Sequence, residues 1–242
     1  ELGRVYQADL LMHAIPEGFA TMAGELEAKS SASRAAWVVR ANNAYRDFIK
    51  PVAGAGGVNM SEIVKSLNDI LPDDAIIANG AGNYTVWVHR FYQYRQRGTQ
   101  LAPQSGSMGY GVPAAISAAI REPDRKVVCF SGDGCFLMTS QELATAKRYN
   151  AKVVFVVVNN AMYGTIRMHQ ERHYSNRVSG TDLVNPDFVA YAKSFGLEAQ
   201  AVSTTAGFAS AFERALEVDG PALIEVQVDP QDILPGKTIS EL

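Results

Sequence analysis

Two unbroken apolar runs constrain this chain more than anything else in it. KVVCFS (126–131) and KVVFVVV (152–158) show no alternation of apolar and polar residues. A strand with one wet face alternates, whereas a strand covered on both faces reads as a continuous apolar run. Between them, SQELATAKRYN (140–150) has a helical pattern, so the stretch reads as strand, helix, strand. Similar units recur. AIIAN (75–79) and ALIEVQV (222–228) are further strands of this kind, and 197–202 is a shorter one. Helices are expected over 61–71 with Ser61 as its cap, over 83–95, over 110–121, from Asn185-Pro186 onward, and over 205–218. The alternation predicts an α/β fold, a doubly wound parallel sheet with helices on both faces and right-handed crossovers.

The first part of the chain is less regular. Asp9 to Ala14 reads as a short strand, and Pro16 opens a helix. Ser30 or Ser31 caps a second helix running through SRAAWVVRANNAYRDF. The stretch Pro51–Gly57 is rich in glycine and marks the best boundary. The tail beyond Asp229 is polar, contains a proline and reads as loose or as a lid. Four segments result: 1–28, 29–57 as a linker helix and loop, 58–230, and 231–242 as a C-terminal tail.

Composition narrows the classes. Apolar residues make up 47% and charged residues 19%, as in a folded globular chain. The net charge of −3 gives no electrostatic reason to expect a nucleic-acid partner. No apolar run approaches the ~20 residues of a membrane span. Two cysteines, Cys129 and Cys135, cannot build a disulfide framework. A cytoplasmic setting is therefore expected. Because Glu1 opens the sequence and no basic-then-apolar leader follows, the expectation is a piece of a longer chain. His169 and His173 sit four apart in HQERH, but the motif mechanics of a zinc protease are missing.

In open parallel sheets ligands bind beyond the carboxyl ends of the strands. Two polar turns fall at such ends. Gly132-Asp133-Gly134 follows 126–131, and Asn159-Asn160 follows 152–158. One helix and one strand separate them, so the two strand ends can lie side by side. A carboxylate, an amide oxygen and a backbone carbonyl are hard donors that suit magnesium or calcium. Glycines beside Asp133 allow close approach of a phosphate, and helix N-termini add free N–H groups. Either turn alone is common in loops; the pair, at strand ends of one unit, reads as a metal-bridged diphosphate site.

These residues resemble a known family. GDG followed by NN is similar to the thiamine-diphosphate motif of 2-oxo-acid decarboxylases and acetohydroxyacid synthases. Gly106-Ser107-Met108-Gly109-Tyr110-Gly111-Val112-Pro113-Ala114-Ala115 resembles another segment of that family, and Asn79-Gly80-Ala81-Gly82-Asn83 its first phosphate loop. NNAMYGTIRMHQE resembles an acetolactate synthase-like or benzoylformate decarboxylase-like branch. The resemblance covers roughly 58–230 and makes this stretch similar to a pyrophosphate-binding domain. Residues 1–28 resemble the end of a central α/β domain.

The resemblance implies roles. Asp133 and Asn160 hold Mg2+ by their side chains, and Met162 by its carbonyl. Gly134 and Cys135 offer N–H groups to the diphosphate, as do Tyr163, Gly164 and Thr165. Gly82 and Asn83 meet the phosphates from the other side. The Gly106 carbonyl accepts from the pyrimidine amino group, and Met108 wedges beneath the cofactor. Read without the resemblance, Met108 is a core residue and Cys135 a buried inert thiol. Ile166 departs from decarboxylases that place an acidic residue there. Arg167, His169, Gln170 and Arg172 read as a solvated helix face. The glutamate that protonates the pyrimidine resembles nothing in these residues. The family carries it on a pyrimidine-binding domain of the same or a neighbouring subunit, so a homodimer or homotetramer acting on a 2-oxo acid is implied. FAD, which some relatives bind through the central domain, finds no supporting segment. Two rivals are a nucleotide-binding Rossmann-type domain, because GAGNYT (80–85) begins like its glycine motif, and a non-catalytic cofactor-binding module.

Overall fold

The computed structural model describes residues 3–27 and 31–242. The chain divides into two units, Glu1–Phe48 and Ile49–Leu242. The first holds α1 (Pro16–Gly24), with its proline at the start, and α2 (Ala32–Phe48). Ser31 Oγ accepts from the Arg34 N–H at 3.2 Å and so caps α2. Ser30, the other candidate, lies outside the described residues. No strand forms over 9–14. A strand holds its shape only when a neighbour takes up its backbone hydrogen bonds, and the sheet of the second unit pairs other segments.

The second unit is built on six strands: β1 (Ile76–Asn79), β2 (Gln100–Leu101), β3 (Val127–Gly132), β4 (Val153–Asn159), β5 (Glu198–Val202) and β6 (Ala222–Gln227). Their order is β2-β1-β3-β4-β6-β5 and every pair is parallel. This is the expected α/β doubly wound sheet. β3 and β4 are buried along nearly their whole length, which is why both are written as valine runs.

Helices cover both faces. One layer contains α3 (Met60–Ile70), α4 (Tyr84–Phe91) and α10 (Thr205–Glu217), packed with Ile77, Phe130, Val156 and Ile224. The other contains α5 (Gly111–Arg121), the short α6 (Asp133–Leu137), α7 (Leu143–Arg148) and α9 (Phe188–Ser194), packed with Ile76, Cys129, Phe155 and Leu223. The chain moves from β1 outward to β2 and then crosses back to β3. The order therefore reverses between β1 and β3, and a crevice opens at their carboxyl ends.

Several helix boundaries differ from the sequence reading. α9 starts at Phe188, capped by Asp187, rather than at Asn185-Pro186, and the helix read over 140–150 is a 3-10 turn (Ser140–Glu142) followed by α7. Asn59, not Ser61, caps α3, accepting from the Ser61 and Glu62 N–H groups. The Ser61 hydroxyl instead donates to the Val52 carbonyl. α4 stops at Phe91 rather than 95 because the Asn68 side chain intervenes. Its amide donates to the Phe91 carbonyl and accepts from the Gln93 N–H, taking groups that further helix would need. The tail is ordered by a hairpin of β7 (Asp232–Leu234) and β8 (Lys237–Thr238). Ile233 and Ile239 are buried there beside Met168. Among the described residues no helix is long and apolar enough to cross a membrane.

Candidate functional site

Three strand ends and one helix start line one open cleft. It lies at the reversal between β1 and β3 and extends to the end of β4.

The first wall follows β1. Asn79 is buried and donates to the Gly80 carbonyl at 2.8 Å. Gly80 has no room for a side chain, since a Cβ there collides with Cys135 Sγ. Gly82 and Asn83 face the cleft. Asn83 Oδ1 accepts from the Thr165 hydroxyl at 2.7 Å, and its amide donates to the Ile233 carbonyl at 2.9 Å. One side chain thus ties the first loop to the fourth wall and to the tail.

The second wall follows β3, whose last residue Gly132 leads directly into Asp133. Asp133 is only 3% exposed. Its Oδ1 accepts from the Gly134 N–H at 2.9 Å, and its Oδ2 accepts from the Asn185 amide at 2.8 Å. Burial pushes its pKa above the usual carboxylate range, against those hydrogen bonds. Gly134 must lack a side chain because the Tyr163 ring lies within 2.7 Å of where a Cβ would sit. Cys135 Sγ accepts from the Gly109 N–H at 3.1 Å and lies 3.5 Å from the Tyr84 hydroxyl. Both cysteines are free and buried.

The remaining walls come from the loop after β4 and from α8 (Gly164–His173). Asn160 Oδ1 accepts from the Met162 N–H at 3.3 Å. Ala161 has a left-handed backbone, φ 55°, which turns the chain sharply between them. The Tyr163 N–H donates to the Thr181 carbonyl at 2.8 Å and the Gly164 N–H to the Met162 carbonyl at 3.0 Å. Met108 also lines the cleft and packs against the core.

Asp133, Asn160, Met162, Gly82, Asn83, Met108, Gly134, Cys135, Tyr163, Gly164 and Thr165 all line this one cleft. Gly106 does not line it. It sits on an exposed turn with φ 68°, two residues before Met108. Sequence reasoning missed Tyr84 and Asn185. Tyr84 wedges its ring against Gly82 and Gly132. Its only sequence signal was an aromatic residue inside a phosphate-type loop. Asn185 was read only as a helix start. The polar face of α8 is less solvated than expected: Arg167 pairs with Glu171 at 2.6 Å and Gln170 with the Ser179 carbonyl, while His169 and His173 stack 6.1 Å apart and stay exposed.

The donor set fits a magnesium–diphosphate group. A buried carboxylate, an amide oxygen and a carbonyl converge, while no three His, Cys, Asp or Glu side chains do so among the described residues. A hard cation held by so few protein groups completes its shell with ligand phosphate oxygens and water. The start of α8, which lines the cleft, offers first-turn backbone N–H groups to an anion.

Residues 80–226 match the family described as thiamine pyrophosphate enzyme, C-terminal TPP binding domain. The acetolactate synthase large subunit of Parasynechococcus marenigrum (strain WH8102) is 34% identical over 218 residues, 86% of this chain and 35% of that protein. The acetolactate synthase isozyme 1 large subunit of Escherichia coli (strain K12) is 30% identical over 251 residues, 100% of this chain and 44% of its own length. Among solved structures, a thiamine diphosphate-dependent 4-hydroxybenzoylformate decarboxylase of Rhodococcus jostii RHA1 superposes with a TM-score of 0.69 at 31% identity, covering 74% of this chain and 34% of the other. The chain thus spans between a third and under half of the length of these relatives.

Proposed function

Because the chain belongs to the thiamine pyrophosphate enzyme family, as its C-terminal TPP binding domain, we propose that it binds the diphosphate of thiamine diphosphate through Mg2+. In this reading Asp133 and Asn160 hold the cation with their side chains and Met162 with its carbonyl. Cys135 and Thr165 direct N–H groups at the diphosphate, Gly134 and Gly164 let the backbone approach it while their own N–H groups are held by Asp133 Oδ1 and the Met162 carbonyl, and Gly82 and Asn83 close over it from the β1 side. Tyr163 contributes its ring, which packs over Gly134, rather than its N–H, which Thr181 holds. Gly106 reaches the pyrimidine from its exposed turn, and Met108 supports the bent ligand from below.

The single observation that carries this reading is the convergence of Asp133, Asn160 and the start of α8 in one cleft at the strand-order reversal. When bound, the cofactor supplies an electron sink for breaking or making a bond to a carbonyl carbon. The chain's own residues anchor, orient and desolvate it. The full protein is proposed to act on 2-oxo acids by C–C cleavage or carboligation, in the manner of an acetolactate synthase. That activity needs a glutamate from a pyrimidine-binding domain of the same or a neighbouring subunit, in a homodimer or homotetramer. The two free, buried cysteines support a cytoplasmic setting. The nucleotide-binding and non-catalytic alternatives are not favoured, since GAGNYT faces a cleft shared with Asp133 and Asn160.

Calorimetric titration tests the proposal. Thiamine diphosphate is expected to bind only with Mg2+ present, and NAD not at all. Binding that ignores the cation would overturn the reading. The residues of this chain on their own are expected to give no acetolactate or acetaldehyde from pyruvate.

A further inference from the structure

Asp133 does not stand alone at the end of β3. A continuous, partly buried chain of hydrogen bonds leads to it from β6, two strands away. On β6, Glu225 is 6% exposed, and its Oε1 accepts from the Asn159 amide at 2.7 Å. Asn159 Oδ1 in turn accepts from the Asn185 amide at 2.9 Å. The same Asn185 nitrogen donates to Asp133 Oδ2 at 2.8 Å. The Asn159 amide nitrogen faces Glu225 and its oxygen faces Asn185. Asn185 then meets two acceptors and has to present its nitrogen to both.

Asn185 is itself held from both sides. Just before it, Met162 and Asp182 form a β-bridge, and the Leu183 N–H donates to the Ala161 carbonyl. Just after it, Asp187 caps α9 by accepting from the Ala190 N–H, and Phe188 is fully buried. The segment that carries Asn185 is therefore strapped onto the loop that carries Asn160 and Met162.

We propose that Asn185 is a positioning residue for the metal site: its amide, oriented by Asn159 and Glu225, fixes the Asp133 carboxylate so that Oδ1 faces the cleft. This rests on the Mg2+–thiamine diphosphate reading above. Mg2+ demands near-ideal octahedral geometry at short distances, whereas Ca2+ accepts longer and irregular shells. A carboxylate released to rotate harms Mg2+ binding far more than Ca2+ binding. Loss of the outer partner of a metal ligand typically costs ~10–100-fold in metal affinity.

The test is a pair of titrations of the full protein with thiamine diphosphate at fixed concentration, one raising Mg2+ and the other Ca2+. Asn185→Ala is expected to raise the Mg2+ half-saturation about tenfold or more and the Ca2+ value less than about threefold. An unchanged Mg2+ value, or equal shifts for both cations, overturns the proposal. If Asn185→Ala loses its circular dichroism signature, Asn185→Ser, which keeps a donor on a shorter arm, goes through the same two titrations under the same criteria. A wild-type protein that binds thiamine diphosphate without any cation sinks the functional reading instead, so the two failures are distinct.

Discussion

Asp133 shows a conflict between stability and binding at a single residue. Its carboxylate is buried, accepting from the Gly134 N–H and the Asn185 amide, and burial shifts it toward the neutral form. A charge held this way costs folding free energy that a bound cation offsets. Asp133→Asn keeps an oxygen for the Asn185 amide and removes the charge. In metal-free buffer its thermal midpoint is expected to equal or exceed that of the wild type. Its Mg2+-dependent affinity for thiamine diphosphate should fall by a factor on the order of 100 or more, since a direct ligand outweighs an outer one. A scanning-fluorimetry midpoint several degrees below wild type would contradict this account. Asp133 and Asn160 were legible in the sequence because two polar turns, each common alone, fall together at the strand ends of one unit. Tyr84 and Asn185 were not, since their partners Cys135 and Asp133 lie 51 and 52 residues away and no local pattern marks them.

At the scale of elements, the terminal hairpin departs furthest from its sequence reading. A polar tail was expected to be loose or to act as a lid, and it is not loose: Ile233 is fully buried and its carbonyl receives the Asn83 amide. The few apolar residues of this stretch, Ile233, Leu234, Ile239 and Leu242, are too scattered to show a periodicity. Asp232, beside it, accepts from the Ala55 N–H at 2.8 Å, and burial raises its pKa. An acid whose folded pKa is raised binds its proton more tightly when folded. Its destabilising effect is therefore absent below the unfolded value and grows as pH rises through the folded one. Asp232→Asn is expected to be more stable than wild type at pH 7, with the gap closing near pH 4. Urea midpoints across that range check the sign, and a gap that widens on acidification would refute it.

For the molecule as a whole, the two units differ in kind. Ile49–Leu242 holds both core layers around the sheet, whereas α1 and α2 bury none of their residues. Local opening follows the density of buried apolar contacts. Limited proteolysis is therefore expected to cut first within 3–48 and to leave a protected body starting near Ile49, read by mass spectrometry; early cuts within β3 or β4 would contradict it. The sequence by itself determined the layered α/β architecture and the polar turns that carry Asp133 and Asn160. Burial on both faces and the chemistry of strand ends are short-range, and they write themselves into contiguous residues. Only the tertiary structure decided where α4 stops, which residue caps α3, how the tail is held and what orients Asp133. Each of those depends on one polar side chain meeting a backbone or carboxylate group brought close by the fold. Such a meeting has no signature until the sheet order has placed the two together.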